Sequence, residues 1–343
     1  MKEALLYESI GESLVRCNIC QRRCEISAGK RGYCGTRENR HGILYSLIYA
    51  RIACAGVAPI EKKPLYHFHP GSRAYSVGSL GCNFRCPGCQ NWELAHANID
   101  TQLNSTYELL PAELISLAES NRGEGISWTY NEPTLWLEYT LEGAKLAKKN
   151  GLYTNYVTNG FITTEALDLI APYLDSFRVD VKGFRPEFYK KVCQVDDFRG
   201  ILRVTVRARK KWGMHVEVVT NIVPDYNDSE EELRELATWI MVELGENTPW
   251  HVTQFVPHHY LSQVPPTPVK TLEKARQIGF EQGLKFVYLG NIPGHPGENT
   301  YCPDCHKLLI KRYGFAVVDF HLRNGNCSYC GAKIPLVGEV HRS

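Results

Sequence analysis

Three cysteines fall within eight residues in the run Gly81-Cys82-Asn83-Phe84-Arg85-Cys86-Pro87-Gly88-Cys89, directly after the apolar stretch 74–80. Their spacing is C-x3-C-x2-C. Three thiolates this close on one loop suit three corners of a [4Fe-4S] cluster and leave the fourth iron without a protein ligand, open to a small molecule. Zinc favours paired C-x2-C knuckles and fits this spacing poorly.

Eight of the other cysteines form two more groups. Cys302-x2-Cys305 and Cys327-x2-Cys330 are two knuckles separated by 21 residues, with Gly331 after the last cysteine. This is the pattern of a tetrahedral S4 site for zinc or a rubredoxin-type iron, with zinc the better match, and such closed sites are structural. A tail this short has too little core to fold alone, so its stability would depend on the metal. Near the N-terminus stand Cys17-x2-Cys20-x3-Cys24-x9-Cys34. These are packed more tightly than two zinc knuckles and leave open a structural zinc or an auxiliary iron–sulfur cluster. Arg22, Arg23, Lys30, Arg31 and Arg37 would offset the charge of four thiolates. Cys54 and Cys193 stand alone and read as ordinary buried thiols.

The chain has 343 residues, 43% apolar and 22% charged, with a formal net charge of +2. That balance gives no argument for nucleic acid or a membrane surface. No segment approaches the roughly 18 apolar residues of a membrane span. The N-terminus is acidic and has no signal-type core, so a cytoplasmic location is expected, where thirteen cysteines point to metals rather than disulfides. The basic stretch 199–211 reads as a solvated helix face, with a channel for an acidic substrate as the alternative.

From residue 74 to about 292, apolar strand-like runs (74–80, 125–130, 153–158, 176–181, 215–223, 251–255, 286–289) alternate with helix-like segments (111–121, 134–150, 163–172, 185–192, 229–244, 269–282). Pro111 and Pro186 suit first helical turns, Ser229 with Glu232 reads as a capping box, and Asn150-Gly151 as a helix stop. Continuous apolar strands between helices predict a parallel sheet. The fold class expected is α/β: a partial (β/α)6-type barrel over 74–298, an N-terminal cysteine-rich extension over 1–73, and a zinc-ribbon-like tail over 299–343. Chemistry in such barrels sits at the C-terminal ends of strands. The cysteine loop follows the first strand, and polar turns follow the others: Tyr130-Asn131-Glu132-Pro133-Thr134, Thr158-Asn159-Gly160, Asp180-Val181-Lys182 and His258-His259. Trp128, Tyr130 and Trp136 read as core or pocket wall.

The C-x3-C-x2-C loop resembles the signature of radical S-adenosylmethionine (SAM) enzymes. With Thr158-Asn159-Gly160 and Asp180-x-Lys182 it is similar to the glycyl-radical-activase branch, that of the pyruvate formate-lyase activating enzymes. The chain departs from that branch where Tyr130-Asn131-Glu132-Pro133 replaces a glycine pair with an acid, and where Val157 replaces an acid. Over nearly its whole length the chain resembles the AmmeMemoRadiSam-system radical SAM enzymes, on Cys17-x2-Cys20-x3-Cys24, Arg31-Gly-Tyr-Cys34-Gly35, Tyr130-Asn-Glu-Pro-Thr134, Tyr288-Leu-Gly-Asn-Ile-Pro-Gly294 and Tyr301-Cys-Pro-Asp-Cys305. The resemblance implies an enzyme in which Cys82, Cys86 and Cys89 hold a [4Fe-4S] cluster that reductively cleaves SAM to a 5′-deoxyadenosyl radical, which takes hydrogen from an unidentified substrate. It implies a reductant protein, and a protein substrate or system partner. Asn131, Glu132, Thr158, Asn159, Asp180 and Lys182 offer the polar groups that SAM's amine, carboxylate and ribose need, and His259 would face substrate or the SAM carboxylate. Activation of a partner protein's glycine is one alternative, and a non-catalytic metal-binding scaffold is another.

Overall fold

The computed structural model describes residues 1–343, and the chain divides into two compact units. Unit 1 comprises Met1–Val57, Ala74–Phe177 and Tyr189–Met214; unit 2 comprises Ala58–Arg73, Arg178–Phe188 and His215–Ser343. No helix is long and apolar enough to cross a membrane.

In unit 1 the strand Gly125–Trp128 lies between Arg73–Gly78 and Tyr153–Thr158 and runs parallel to both, with Trp128 opposite Val77 and Tyr156. All four of its residues are buried, which is why it reads as an unbroken apolar run rather than an alternating one. The intervening helices are Pro111–Ser120 and Leu137–Lys149, then Thr164–Ile170 and Arg199–Lys210. Thr163 caps its helix by accepting a hydrogen bond from Ala166 N. Gly143 lets helix and strand close up, since a Cβ there would meet the Trp128 ring at 3.0 Å. Trp128 and Trp136 are core residues, and Trp136 stacks on Tyr139 at 4.4 Å. The basic segment is a helix with Ile201, Val204 and Ala208 buried, while Arg207 and Lys211 pair with Asp168.

The cysteine-rich extension is built from short antiparallel strands: Tyr7–Ser9, Leu14–Cys17 and Glu25–Ser27 in one sheet, and Lys2–Glu3, Arg37–Arg40 and Ile43–Ser46 in another. A buried ion pair holds it down. Arg37 donates to both Glu138 oxygens at 3.0 and 2.7 Å, and both side chains are at most 2% exposed.

In unit 2, Trp250–Gln254 lies parallel between His215–Ile222 and Val287–Gly290, with helices Glu230–Trp239 and Val269–Glu281 between these strands in sequence. Ser229 caps its helix by accepting from Glu232 N at 3.3 Å. The reciprocal half of the expected capping box is replaced, because the Glu232 carboxylate accepts from Phe184 N instead. The segment 185–192 is a short turn, Pro186–Phe188, in unit 2, followed by a π-turn, Tyr189–Cys193, that belongs to unit 1. Inside unit 2 the Glu217 carboxylate accepts from the backbone N–H groups of Tyr66 and His67 at 3.0 and 2.8 Å and bonds His215 and His251 at 2.8 and 2.6 Å.

The tail forms an antiparallel sheet, Thr300–Tyr301, Leu308–Tyr313 and Ala316–Phe320, followed by a small hairpin. Its apolar side is not self-contained: Leu309, Ile310, Val317 and Ile334 share one core with Tyr66, Phe286 and Tyr288. The compact units therefore do not follow the three segments expected from sequence.

Candidate active site and metal centres

The loop carrying Cys82, Cys86 and Cys89 leaves the strand Arg73–Gly78 in unit 1. It begins at Gly81, whose φ of +86° lies in the left-handed region that glycine tolerates. A Cβ at Gly81 would also come within 2.4 Å of Thr36 Cγ2, so the extension closes directly onto the loop. All three cysteines are half-buried.

Two N–H groups converge on the first sulfur. Phe84 N lies 3.4 Å and Asn159 Nδ2 3.7 Å from Cys82 Sγ. Asn159 Nδ2 also donates to Asn83 Oδ1 at 2.7 Å. Burial, and then the nearby Glu132 charge, push the Cys82 thiol up, so a thiolate at this position needs added positive charge. Donors aimed at the sulfur together with a deficit of cation are what an iron–sulfur ligand requires, and the site fits the group on that test.

Four side chains fix the loop. Asn131 Oδ1 accepts from Ser79 N at 3.1 Å, and its Nδ2 donates to Leu80 O and Gly81 O at 3.2 and 3.1 Å. The buried Glu132 carboxylate accepts from Thr134 N (3.0 Å), Thr134 Oγ1 (2.6 Å), Thr158 Oγ1 (2.7 Å) and Asn159 N (2.8 Å). Burial raises its pKa, and the hydrogen bonds offset only part of that. Arg85 donates to Cys82 O and Phe84 O at 2.7 and 3.0 Å and to Tyr33 O at 2.9 Å. Arg22 stacks 3.5 Å from the Tyr33 ring and donates to Asn83 O at 2.7 Å.

Five predicted site residues of unit 1 thus meet in one constellation: Cys82, Asn131, Glu132, Thr158 and Asn159. Two contributors were not among the predicted site residues. Arg85 belongs to the motif itself, and its charge was the available signal. Cys193 lies with its sulfur 3.8 Å from that of Cys86, 107 residues away in sequence. It ends the π-turn, an irregularity that often accompanies function, and no spacing rule pointed to it.

In unit 2, Asp180 accepts from Arg178 at 2.7 Å and pairs with Lys182 at 3.4 Å. Burial works against its charge, but the two cations outweigh it and hold the carboxyl below its ordinary range. His259 opens the 3-10 turn His259–Leu261 at φ +49°, its ring centroid 3.8 Å from that of Tyr260.

Cys302, Cys305, Cys327 and Cys330 bring all four sulfurs within 4.8 Å of one another. Cys302 and Cys330 are 3.6 Å apart, and Cys305 and Cys327 are 3.7 Å apart. Tetrahedral metal–sulfur bonds of about 2.3 Å separate ligands by about 3.8 Å, so the quartet is sized for one ion. The four thiols act on one another: despite some burial, the backbone N–H groups of Cys330 and Tyr329 and the neighbouring thiols hold the Cys327 thiol down, while those of Cys305 and Cys330 are pushed up. Cys17, Cys20 and Cys34 are buried and Cys24 is half-buried, all in unit 1.

A sequence profile of the radical SAM superfamily matches residues 76–240. The uncharacterized protein MJ0808 of Methanocaldococcus jannaschii is 42% identical over 340 residues, covering 98% of this chain and all of that one. The pyruvate formate-lyase 1-activating enzyme of Escherichia coli K12 is 22% identical over 222 residues, 61% of this chain and 89% of that one. Among solved structures, Streptococcus suis SuiB bound to S-adenosylmethionine aligns with 71% of this chain and 56% of its own, at TM-score 0.51 and 12% identity, a likeness of fold.

Proposed function

This chain belongs to the radical SAM superfamily, and we propose that Cys82, Cys86 and Cys89 are its cluster ligands and that the enzyme abstracts hydrogen from a substrate. The observation that carries the assignment is the pair of N–H donors, from Phe84 and Asn159, on the Cys82 sulfur at the end of a parallel strand. When bound, a [4Fe-4S] cluster with SAM supplies the 5′-deoxyadenosyl radical, a chemistry that belongs to the cofactors and not to any side chain.

The chain's own residues hold and shield. Asn131 pins the start of the loop through Ser79, Leu80 and Gly81. Glu132 acts through Thr158 and Asn159, orienting the amide that reaches Cys82. Both are positioning residues in this reading. Arg22 and Arg85, stacked around Tyr33, place positive charge beside a site that gathers thiolates. The Cys193 sulfur lies 3.8 Å from that of Cys86, and with Cys86 held as a thiolate ligand its S–H would become the donor of a contact of the kind that tunes reduction potential. Asp180, Lys182 and His259 belong to unit 2 and are given no role at this site. The Cys302 quartet holds a structural zinc, and a separate reductant protein supplies the electron.

Likeness to an activating enzyme over 89% of that enzyme's length supports a second reading, in which the hydrogen comes from a partner protein's glycine. Anaerobic reconstitution of Cys86→Ala tests the first reading. The variant should make no 5′-deoxyadenosine while the wild type does; formation by both removes the assignment. A glycyl-radical EPR signal on a co-incubated partner separates the two substrate readings, and no cleavage by the wild type leaves the scaffold.

A further inference from the structure

The four N-terminal cysteines meet around a cavity that the radical SAM assignment does not use. Cys17, Cys20, Cys24 and Cys34 line one small pocket in unit 1 together with Arg37 and Asn83. They arrive from two places in the extension: the strand Leu14–Cys17 and the turn after it supply three, and the loop before Arg37–Arg40 supplies Cys34. These are four potential ligands facing one volume, not four scattered thiols.

Two further observations point to an occupant. Arg37 and Asn83 are 1% and 0% exposed, and each carries a nitrogen with no partner: Arg37 Nε and Asn83 Nδ2. Buried donors left unpaired are costly, because they give up hydrogen bonds to water and gain none. Both lie on the wall of this cavity, so an acceptor-rich anionic group inside it would satisfy them together. Thr36 Oγ1 already donates to Cys34 Sγ at 3.2 Å.

Spacing discriminates between the metals. The C-terminal quartet draws its sulfurs within 4.8 Å of one another, as one tetrahedral ion demands. The N-terminal four are spread more widely and form no such group, and neither do Cys82, Cys86 and Cys89. In a polynuclear cluster the thiolates sit on different irons, and inorganic sulfide fills the centre.

We propose that Cys17, Cys20, Cys24 and Cys34 hold a second iron–sulfur cluster, with Arg37 Nε and Asn83 Nδ2 donating to its sulfur. The site stands without the Cys82 assignment, although Asn83 borders both.

The test uses the full chain, purified without oxygen from iron-replete cells, with iron, acid-labile sulfide and zinc counted per chain. A Cys82→Ala/Cys86→Ala/Cys89→Ala variant should keep about two or about four iron with equal sulfide and give an EPR signal on dithionite reduction. A Cys20→Ala/Cys24→Ala variant should lose that same amount and keep the remainder. Two zinc and no iron in the triple variant would overturn the proposal, as would one zinc and no iron. If instead the Cys20→Ala/Cys24→Ala protein holds no iron while the triple variant does, the Cys82 assignment fails and the second cluster stands. Because the triple variant leaves the extension intact, misfolding of the other variant does not blunt the result.

Discussion

Glu132→Gln should destabilise the protein before any cofactor binds. One carboxylate oxygen accepts from Thr134 N, Thr134 Oγ1 and Thr158 Oγ1, and the other accepts from Asn159 N. Glutamine keeps one acceptor oxygen. Its best orientation leaves that oxygen on the group of three and turns an NH2 toward Asn159 N–H, two donors facing each other in a buried site. A lost hydrogen bond to a charged acceptor, together with an orphaned buried donor, costs about 3 kcal/mol, less whatever is regained by removing a buried charge. The raised pKa of Glu132 indicates that this return is real, so about 2–3 kcal/mol is the expected net loss. Urea unfolding of the cluster-free, reduced protein, followed through the buried Trp128 and Trp136, measures it. The loss should be accompanied by lower retention of iron, because Asn159 carries a donor to Cys82. An unchanged urea midpoint with weakened SAM binding would refute this reasoning and make Glu132 a direct SAM contact.

Removing the metal of the Cys302 quartet should loosen unit 2 and not only release a tail, because Leu309, Ile310 and Val317 share their core with Tyr66, Phe286 and Tyr288. Titration with a mercurial should release one zinc per chain and lower the melting temperature by several degrees, and an unchanged melt would count against the shared core. Acid should act through His67. Its Nδ1 faces Pro335 O at 3.1 Å, so that nitrogen carries the proton, and Nε2 accepts from Tyr288 Oη at 2.6 Å. Burial pushes its pKa down to about 3, so the folded state refuses a proton that the unfolded chain takes up below about 6.5. Stability should therefore fall as pH drops through 6.5, by about 1.4 kcal/mol per unit for this one proton. A slope equal to that of His67→Gln between pH 6.5 and 5 would exclude it.

What could be read from sequence was what neighbouring residues encode. The cysteine loop, the paired C-terminal knuckles and fully buried strands such as Gly125–Trp128 are local patterns, and each appears where expected. Most of the extension's strands run only two to four residues, too short to display alternation, and their pairing joins positions such as Lys2 and Ser46. Glu132 illustrates the other limit. A polar residue after a strand suggests a ligand contact, yet its partners at 158 and 159 can be counted only once the strands are side by side. Glu217 sits in the apolar run 215–222, where a lone acid gives no sign that two histidines and two backbone N–H groups enclose it.

The extension and the cysteine loop are one construction. Arg22 reaches Asn83 O from the segment that carries Cys20 and Cys24, and Arg85 reaches Tyr33 O, next to Cys34, from the loop. The Tyr33 ring lies between the two guanidinium groups, 3.5 and 4.9 Å from them. Gly81 and Thr36 approach so closely that a methyl group added at Gly81 would force them apart. Each contact is modest, and a cation–π pair contributes about 0.5–2 kcal/mol. Together they cross-link two cysteine groups through residues that are neither ligands nor core. They tie any displacement of the extension to the cysteine loop, whichever group either of them holds.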